Sequence, residues 1–202
     1  MSLSTSSNNS NSSADKVSQS TKDRVGALYP GLRPLVFRVL EDVYLRCNRR
    51  IGVAQGMRSM EEQLSLYAKG RTLSGGKWSV TSPGEVVTNA KPGLSFHCYG
   101  LAFDAAWSGL DPYLQKETRA EQEELWRLYG EVGKSHGFKW GGDFRLANGA
   151  RDLPHLEMAY GLSLAELTEL HERGGLKAVW AYIDKLRGVP EGQDWNLPKE
   201  GA

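Results

Sequence analysis

The sequence predicts an α+β fold, a small antiparallel sheet with flanking helices. Two observations carry this expectation. Segments of helical periodicity and segments of two-residue alternation are mixed along the chain, without the regular βαβ order of a parallel sheet. No internal repeat is visible. The length of 202 residues suits one domain with short appendages, and 40% hydrophobic residues are enough for a core.

The expected division is a disordered tail over 1–22, a main domain over 23–160, and a helical extension over 161–202 packed on it. The tail is dominated by Ser and Asn and cannot bury enough surface to offset its ordering entropy. Folded structure is expected from near Leu28. Leu32, Leu35, Val36, Val39, Leu40, Val43, Tyr44 and Cys47 recur at helical spacing, which predicts a helix over 33–48. The run from Ile51 to Gln55 reads as a short strand. Ser59 with Glu62 is a capping-box pattern, opening a helix that carries Leu64 and Tyr67 and stops at Gly70. Residues 71–93 are rich in Gly, Ser, Thr and Pro and read mostly as loop.

From Leu101 to Trp107 the residues alternate as in a strand, with Leu101, Phe103 and Ala105 on one face. Ala102, Asp104 and Ala106 form the other, a shallow face around one carboxylate. A long helix is expected over 113–136 with Leu125, Leu128, Tyr129 and Val132 inward. After a Trp140-Gly141-Gly142-Asp143 turn and a loop comes a short strand at His155–Met158. Ser163 with Glu166 opens a further helix, and 175–187 makes another with Val179, Trp180, Tyr182 and Ile183.

Composition excludes some classes. Lys and Arg number 25 against 24 Asp and Glu, a formal net charge of +1. That argues against a nucleic-acid partner, which usually demands a basic excess. Mean hydropathy is -0.47, and no stretch approaches the ~20 apolar residues that span a bilayer. The first residues lack the basic and apolar regions of a secretory signal. A monomer made in the cytoplasm is therefore expected. The two cysteines, Cys47 and Cys98, make no disulfide framework.

Two segments concentrate chemistry: Ser95-Phe96-His97-Cys98-Tyr99-Gly100-Leu101-Ala102-Phe103-Asp104 and Asp152-Leu153-Pro154-His155-Leu156-Glu157. They offer two imidazoles and a carboxylate, the donor types of a catalytic zinc site that keeps a fourth position open. His97 and Asp104 are an odd number apart, so a straight strand would set them on opposite faces. Gly100 between them can supply the turn that unites them. His155 would close the site from the later strand, placing the zinc site on the sheet. A carboxylate amid alanines needs a cation or metal beside it. Cys98 neighbours His97 and is a thiolate alternative, but alternation in an extended segment points it the other way, into packing. His136 and His171 read as structural.

The run SFHCYGLAFD resembles the SxHxxGxAxD signature of the D-Ala-D-Ala carboxypeptidase and L-alanyl-D-glutamate endopeptidase family of zinc peptidases, which includes vancomycin-resistance dipeptidases and phage endolysins. DLPHLE resembles the second half of that signature, and QGMRSMEEQLSLYAKGRT its Arg-Ser-x-x-Glu-Gln segment. WGGD fits the endolysin-like branch. The resemblance spans about 51–158 and implies that 23–160 is a zinc peptidase domain. It implies zinc ligands His97, Asp104 and His155, with Asp152 as general base and Arg58 and Ser95 holding substrate. Zinc makes water nucleophilic at neutral pH, and an adjacent carboxylate can carry its proton to the leaving amine. Where the dipeptidase branch has Glu as base, this chain has Asp.

Glu157 shares a strand face with His155, so it can orient that ligand or act as the base itself. Trp140 and Tyr99 are candidate walls of a substrate groove. The expected function is hydrolysis of an amide in the peptidoglycan stem peptide, at the L-alanyl-D-glutamate bond. The alternatives are D,D-carboxypeptidase action on D-Ala-D-Ala and a non-catalytic zinc-containing wall-binding module. A structural zinc site is a third, with Cys98 alone available to close it. Action on the wall would follow release or export.

Overall fold

The computed structural model describes residues 17–109, 111–145, 149 and 151–190. In chain order the elements are α1 (Gln19–Gly26), α2 (Arg33–Cys47), β1 (Ile51–Gln55), α3 (Met60–Ala68), β2 (Arg71–Ser74) and β3 (Lys77–Val80). There follow β4 (Ala102–Trp107), α4 (Arg119–Ser135), β5 (Lys139–Trp140), β6 (His155–Glu157) and α5 (Leu164–Leu186). The main sheet has the order β1-β4-β6-β5 with every neighbouring pair antiparallel, so the α+β expectation holds.

Alternation along β4 builds the core. Phe103, Ala105 and Trp107 are buried on the face where Phe103 meets Phe138 and Trp107 meets Trp126 of α4. Asp104 and Ala106 are only half-buried. Helix α2 adds Val36, Val39, Leu40 and Val43 to the same cluster. The outer edge of β1 is not left bare. Thr21 of α1 accepts a hydrogen bond from the Val53 amide at 3.2 Å, and Arg24 donates to the Val53 carbonyl at 2.9 Å. Covering an edge in this way removes a template for unwanted strand pairing.

Helix α5 shares this core through Leu167, Val179, Trp180 and Ile183. It breaks at Gly174 and Gly175, which separates the two helical stretches read from sequence. The Trp180 indole donates to the Tyr99 carbonyl at 2.9 Å, tying α5 to the turn that carries His97. Residues 191–202 of the expected extension lie outside the described residues. No helix among those described is long and apolar enough to cross a membrane.

Three boundaries differ from expectation. The expected tail over 1–22 lies outside the described residues as far as 16, but Ser18 caps α1 and Thr21 is buried against β1. Structure thus begins before Leu28, because Ser18 caps α1 and Thr21 has a backbone partner on β1. Residues 71–80 form a hairpin of β2 and β3 rather than loop. The helix expected over 113–136 starts at Arg119. Ahead of it, the Asp111 carboxylate accepts from the amides of Gln115 and Lys116, and Thr118 with Glu121 forms a capping box. Inward residues of α4 include Trp126, while Leu125 and Leu128 are only partly buried.

Candidate metal centre

Register on the sheet sets the first half of the site. Asp104 on β4 pairs directly with His155 on β6, so both side chains rise from one face at one level. His97 arrives from the turn before β4. It sits in a short 3-10 segment, Phe96–Tyr99, and Gly100 at φ 67° then directs the chain into β4. Left-handed backbone of this kind favours glycine. Gly100 thus supplies the expected turn, but His97 is not on an extended strand. Cys98 still points away, buried in the core as a free thiol whose pKa burial pushes up.

His97, Asp104 and His155 each offer a ligand atom, all within 4.8 Å of one another. His97 Nε2 lies 3.2 Å from His155 Nδ1 and 3.3 Å from Asp104 Oδ1. His155 Nδ1 lies 3.0 Å from the same carboxylate oxygen. Both rings are anchored at their other nitrogen. His97 Nδ1 is 2.7 Å from the Gly56 carbonyl, and His155 Nε2 is 3.1 Å from Glu157 Oε2.

These outer acceptors favour the neutral tautomers that carry the proton on each outer nitrogen, in which the inner lone pairs face the carboxylate. Three electron-rich atoms then converge where only a shared proton could otherwise compensate them. The donor set fits a divalent cation such as zinc. The electrostatics report the same demand. Burial pushes the Asp104 carboxyl up, but hydrogen bonds with His155 and His97 outweigh it and hold the group well below the usual carboxylate range. Burial pulls His155 down, yet its bonds with Asp104 and Glu157 win and push it up to about 9. This cluster is capable of coordinating a metal ion.

Asp152 is tied to the site through the backbone. Its amide donates to the Gly141 carbonyl at 3.1 Å, and its own carbonyl accepts from the His155 amide at 3.2 Å. A Cβ on Gly141 would meet the Asp152 carbonyl at 2.3 Å, so only glycine allows the WGGD turn this close. The Asp152 side chain keeps a solvent-exposed edge. Its pKa is nonetheless raised, chiefly by loss of hydration and against the pull of His155, His97 and Arg58.

Arg58 donates its amide to the His97 carbonyl at 3.0 Å, and its guanidinium donates to Gln63 at 2.7 Å. Gln63 is fully buried and holds the Ala90 carbonyl at 2.7 Å. The Arg58 Nε is buried with no partner among the described residues. Ser95 is half-buried at the start of the His97 turn, and its hydroxyl makes no hydrogen bond to His97. Glu157 is behind His155, in contact with its outer nitrogen, rather than facing Asp104.

Tyr99 and Trp140 are not groove walls. Tyr99 is fully buried and bonds to Gly93 and Thr168, and the Trp140 indole donates to the Leu153 carbonyl. His136 pairs with Asp42 at 2.7 Å and His171 meets Tyr99 edge to face, both away from the cluster. Sequence reasoning missed Gly56, whose contribution is a carbonyl, and Phe144, whose ring centre is 5.8 Å from that of His155. Gln63 had a signal, since it ends the Arg-Ser-x-x-Glu-Gln segment.

Residues 88–158, which include all three metal-site residues, match the family model described as D-alanyl-D-alanine carboxypeptidase. The resemblance to this peptidase family holds. The chain is 36% identical over 110 residues to the peptidoglycan L-alanyl-D-glutamate endopeptidase CwlK of Bacillus subtilis strain 168. That match covers 52% of this chain and 59% of the relative, less than two thirds of its length. Among solved structures, the L-Ala D-Glu endopeptidase ChiX of Serratia marcescens is similar at 17% identity and a TM-score of 0.43, covering 69% of this chain and 86% of that one. VanYB in complex with D-alanine-D-alanine is similar at 18% identity and a TM-score of 0.46, covering 75% and 81%.

Proposed function

We infer that this protein is a zinc-dependent peptidase that cuts the L-alanyl-D-glutamate bond of the peptidoglycan stem peptide. The observation that carries the reading is the convergence of His97 Nε2, His155 Nδ1 and Asp104 Oδ1, with both outer nitrogens already bonded. The matching family model supports peptidase chemistry, and the 36%-identical relative favours the L-alanyl-D-glutamate bond. Action on the wall then follows release or export of the chain.

A zinc ion held by the three residues would polarise the scissile carbonyl and make water nucleophilic at neutral pH. The remaining steps belong to this chain. Asp152 accepts the proton of the attacking water and returns it to the leaving amide nitrogen. Its raised pKa suits the second step, since a carboxyl nearer neutrality holds a proton more readily. Glu157 keeps His155 in one tautomer, and Gly56 does the same for His97. Arg58, braced by Gln63, offers its guanidinium to a substrate carboxylate or carbonyl.

The test is digestion of purified sacculi followed by mass spectrometry of the new termini. The reading expects new D-glutamyl amino termini and falling turbidity. Free D-alanine as the sole product would replace it with D,D-carboxypeptidase action, the activity that the family description names.

A further inference from the structure

A cavity of about 450 Å³ opens beside the metal centre, lined by Gly142, Asp143, Phe144, Arg145, Gly149 and Arg151. Its position follows from the sheet. Gln55 at the end of β1 and Trp140 at the end of β5 lie level with Asp104 and with Leu156, next to His155. The chain leaving β1 therefore brings Arg58 to one flank of the metal residues, and the chain leaving β5 brings the cavity to the other. Three strand spacings separate those edges, about 14 Å, which an extended peptide of about four residues would bridge.

The cavity adjoins the metal residues through one of its walls. Phe144 in its wall packs on the ring of His155, and Arg151 precedes Asp152 in the chain. Its charge is positive. Asp143 is already paired with Lys134 at 2.9 Å, whereas Arg145 and Arg151 have no ion pair among the described residues. Two exposed guanidiniums at one cavity, with the local carboxylate already engaged, suit a carboxylate ligand held by charge-assisted, bidentate hydrogen bonds.

We propose that Arg145 and Arg151 form a subsite for the free carboxylate of the D-glutamyl residue on the leaving side of the scissile bond. This rests on the function inferred above. Asp152 delivers its proton to the leaving nitrogen, and that nitrogen belongs to the D-glutamyl residue. The residue next to Asp152 thus lies next to the leaving group. A glutamyl residue joined to the chain through one carboxyl keeps the other free, and Arg151 with Arg145 is placed to receive it. The subsite makes the enzyme distinguish a free glutamyl carboxylate from its carboxamide.

The experiment compares two stem peptides, one with the free carboxylate and one with the carboxamide, using wild-type protein and the R145Q/R151Q double variant. Wild type should prefer the acid form by about 10–100-fold in kcat/KM, the range of a hydrogen bond to a charged group. The double variant should bring that preference close to one, with the change mainly in KM. Equal losses on both peptides, or a preference that survives the substitutions, would overturn the subsite. A second measurement titrates the D-glutamyl product peptide into both proteins. Carboxylate-dependent binding that needs the two arginines, in a protein that cuts neither peptide, would retain the subsite and reject the inferred function. Cleavage indifferent to amidation would do the reverse.

Discussion

His97 and His155 are anchored by different kinds of group, and the difference predicts where the site is vulnerable. His97 rests on the carbonyl of Gly56, a backbone atom that no side-chain substitution removes. His155 rests on the Glu157 carboxylate, which a single substitution can delete or neutralise. His97 also comes from a turn pinned to α5 by Trp180, whereas His155 sits on a three-residue strand between β4 and β5. One ligand is positioned by main chain and the other by a charged side chain. The metal centre should therefore be tunable through His155 and rigid through His97.

The largest effects should come from the ligands themselves. His97→Ala and His155→Ala should each abolish stoichiometric zinc and hydrolysis, as metal analysis and a sacculus assay would show. Retention of full zinc by either variant would remove that residue from the ligand set. Next in size is Asp152→Asn, which keeps the shape but not the proton acceptor. Turnover should fall by ~10²–10⁴ with zinc content intact. An active Asp152→Asn beside a dead Glu157→Gln would move the base to Glu157.

The comparison itself is tested by the anchors. Glu157→Ala should weaken zinc binding by about 10–100-fold, the usual cost of losing an outer partner of a metal-binding histidine. The His97 anchor can be disturbed only by moving backbone. A Cβ at Gly56 would meet the Arg24 carbonyl at 2.9 Å, so Gly56→Ala must shift the chain that carries the acceptor. Its zinc affinity should fall too, and restoring it should require a compensating change elsewhere in α1 rather than at His97. If Glu157→Ala binds zinc like wild type, the asymmetry described above is wrong.

Protons give the smallest and most specific effect. With His155 raised to about 9 in the metal-free protein, the imidazole is charged at pH 7. Its pairing stabilises the fold fully below the unfolded value of about 6.5, and that contribution is lost as pH rises through about 9. Asp104 acts in the opposite sense, since its depressed pKa contributes stability above its unfolded value that is lost as pH falls through the folded one. Zinc must displace the His155 proton, so uptake at pH 7 should release about one proton per ion and fewer above pH 9. Calorimetry in buffers of different ionisation enthalpy reads this directly, and heats independent of buffer would contradict it.

The metal residues were legible because chemistry restricts them. An aspartate among small apolar residues needs a cation beside it, and the resemblance of SFHCYGLAFD and DLPHLE to the peptidase signature supplied the two histidines. Gly100 was legible for the same reason, since an odd spacing required a turn. The local form of His97 was not, because a four-residue 3-10 segment has no periodicity to read. The β2–β3 hairpin had a signal that composition concealed. Gly75 and Gly76 form a two-residue connection at φ 56° and 77°, the preferred hairpin geometry, inside a stretch rich in loop residues. The start of α4 was misplaced because only Ala120 is apolar between Leu114 and Leu125, so periodicity does not mark the first turns, while the Thr118–Glu121 capping box marks the true beginning. Phe144 gave no signal, since its role depends on the approach of two distant turns.

The central claim is that three convergent side-chain atoms make a metal centre. Its most direct measurement is titration of zinc into the metal-free protein, beside Asp104→Asn and His155→Ala. The account predicts one high-affinity site per chain that is lost in His155→Ala and weakened in Asp104→Asn. Absence of stoichiometric binding in the wild type, or equal affinity in all three proteins, would contradict it.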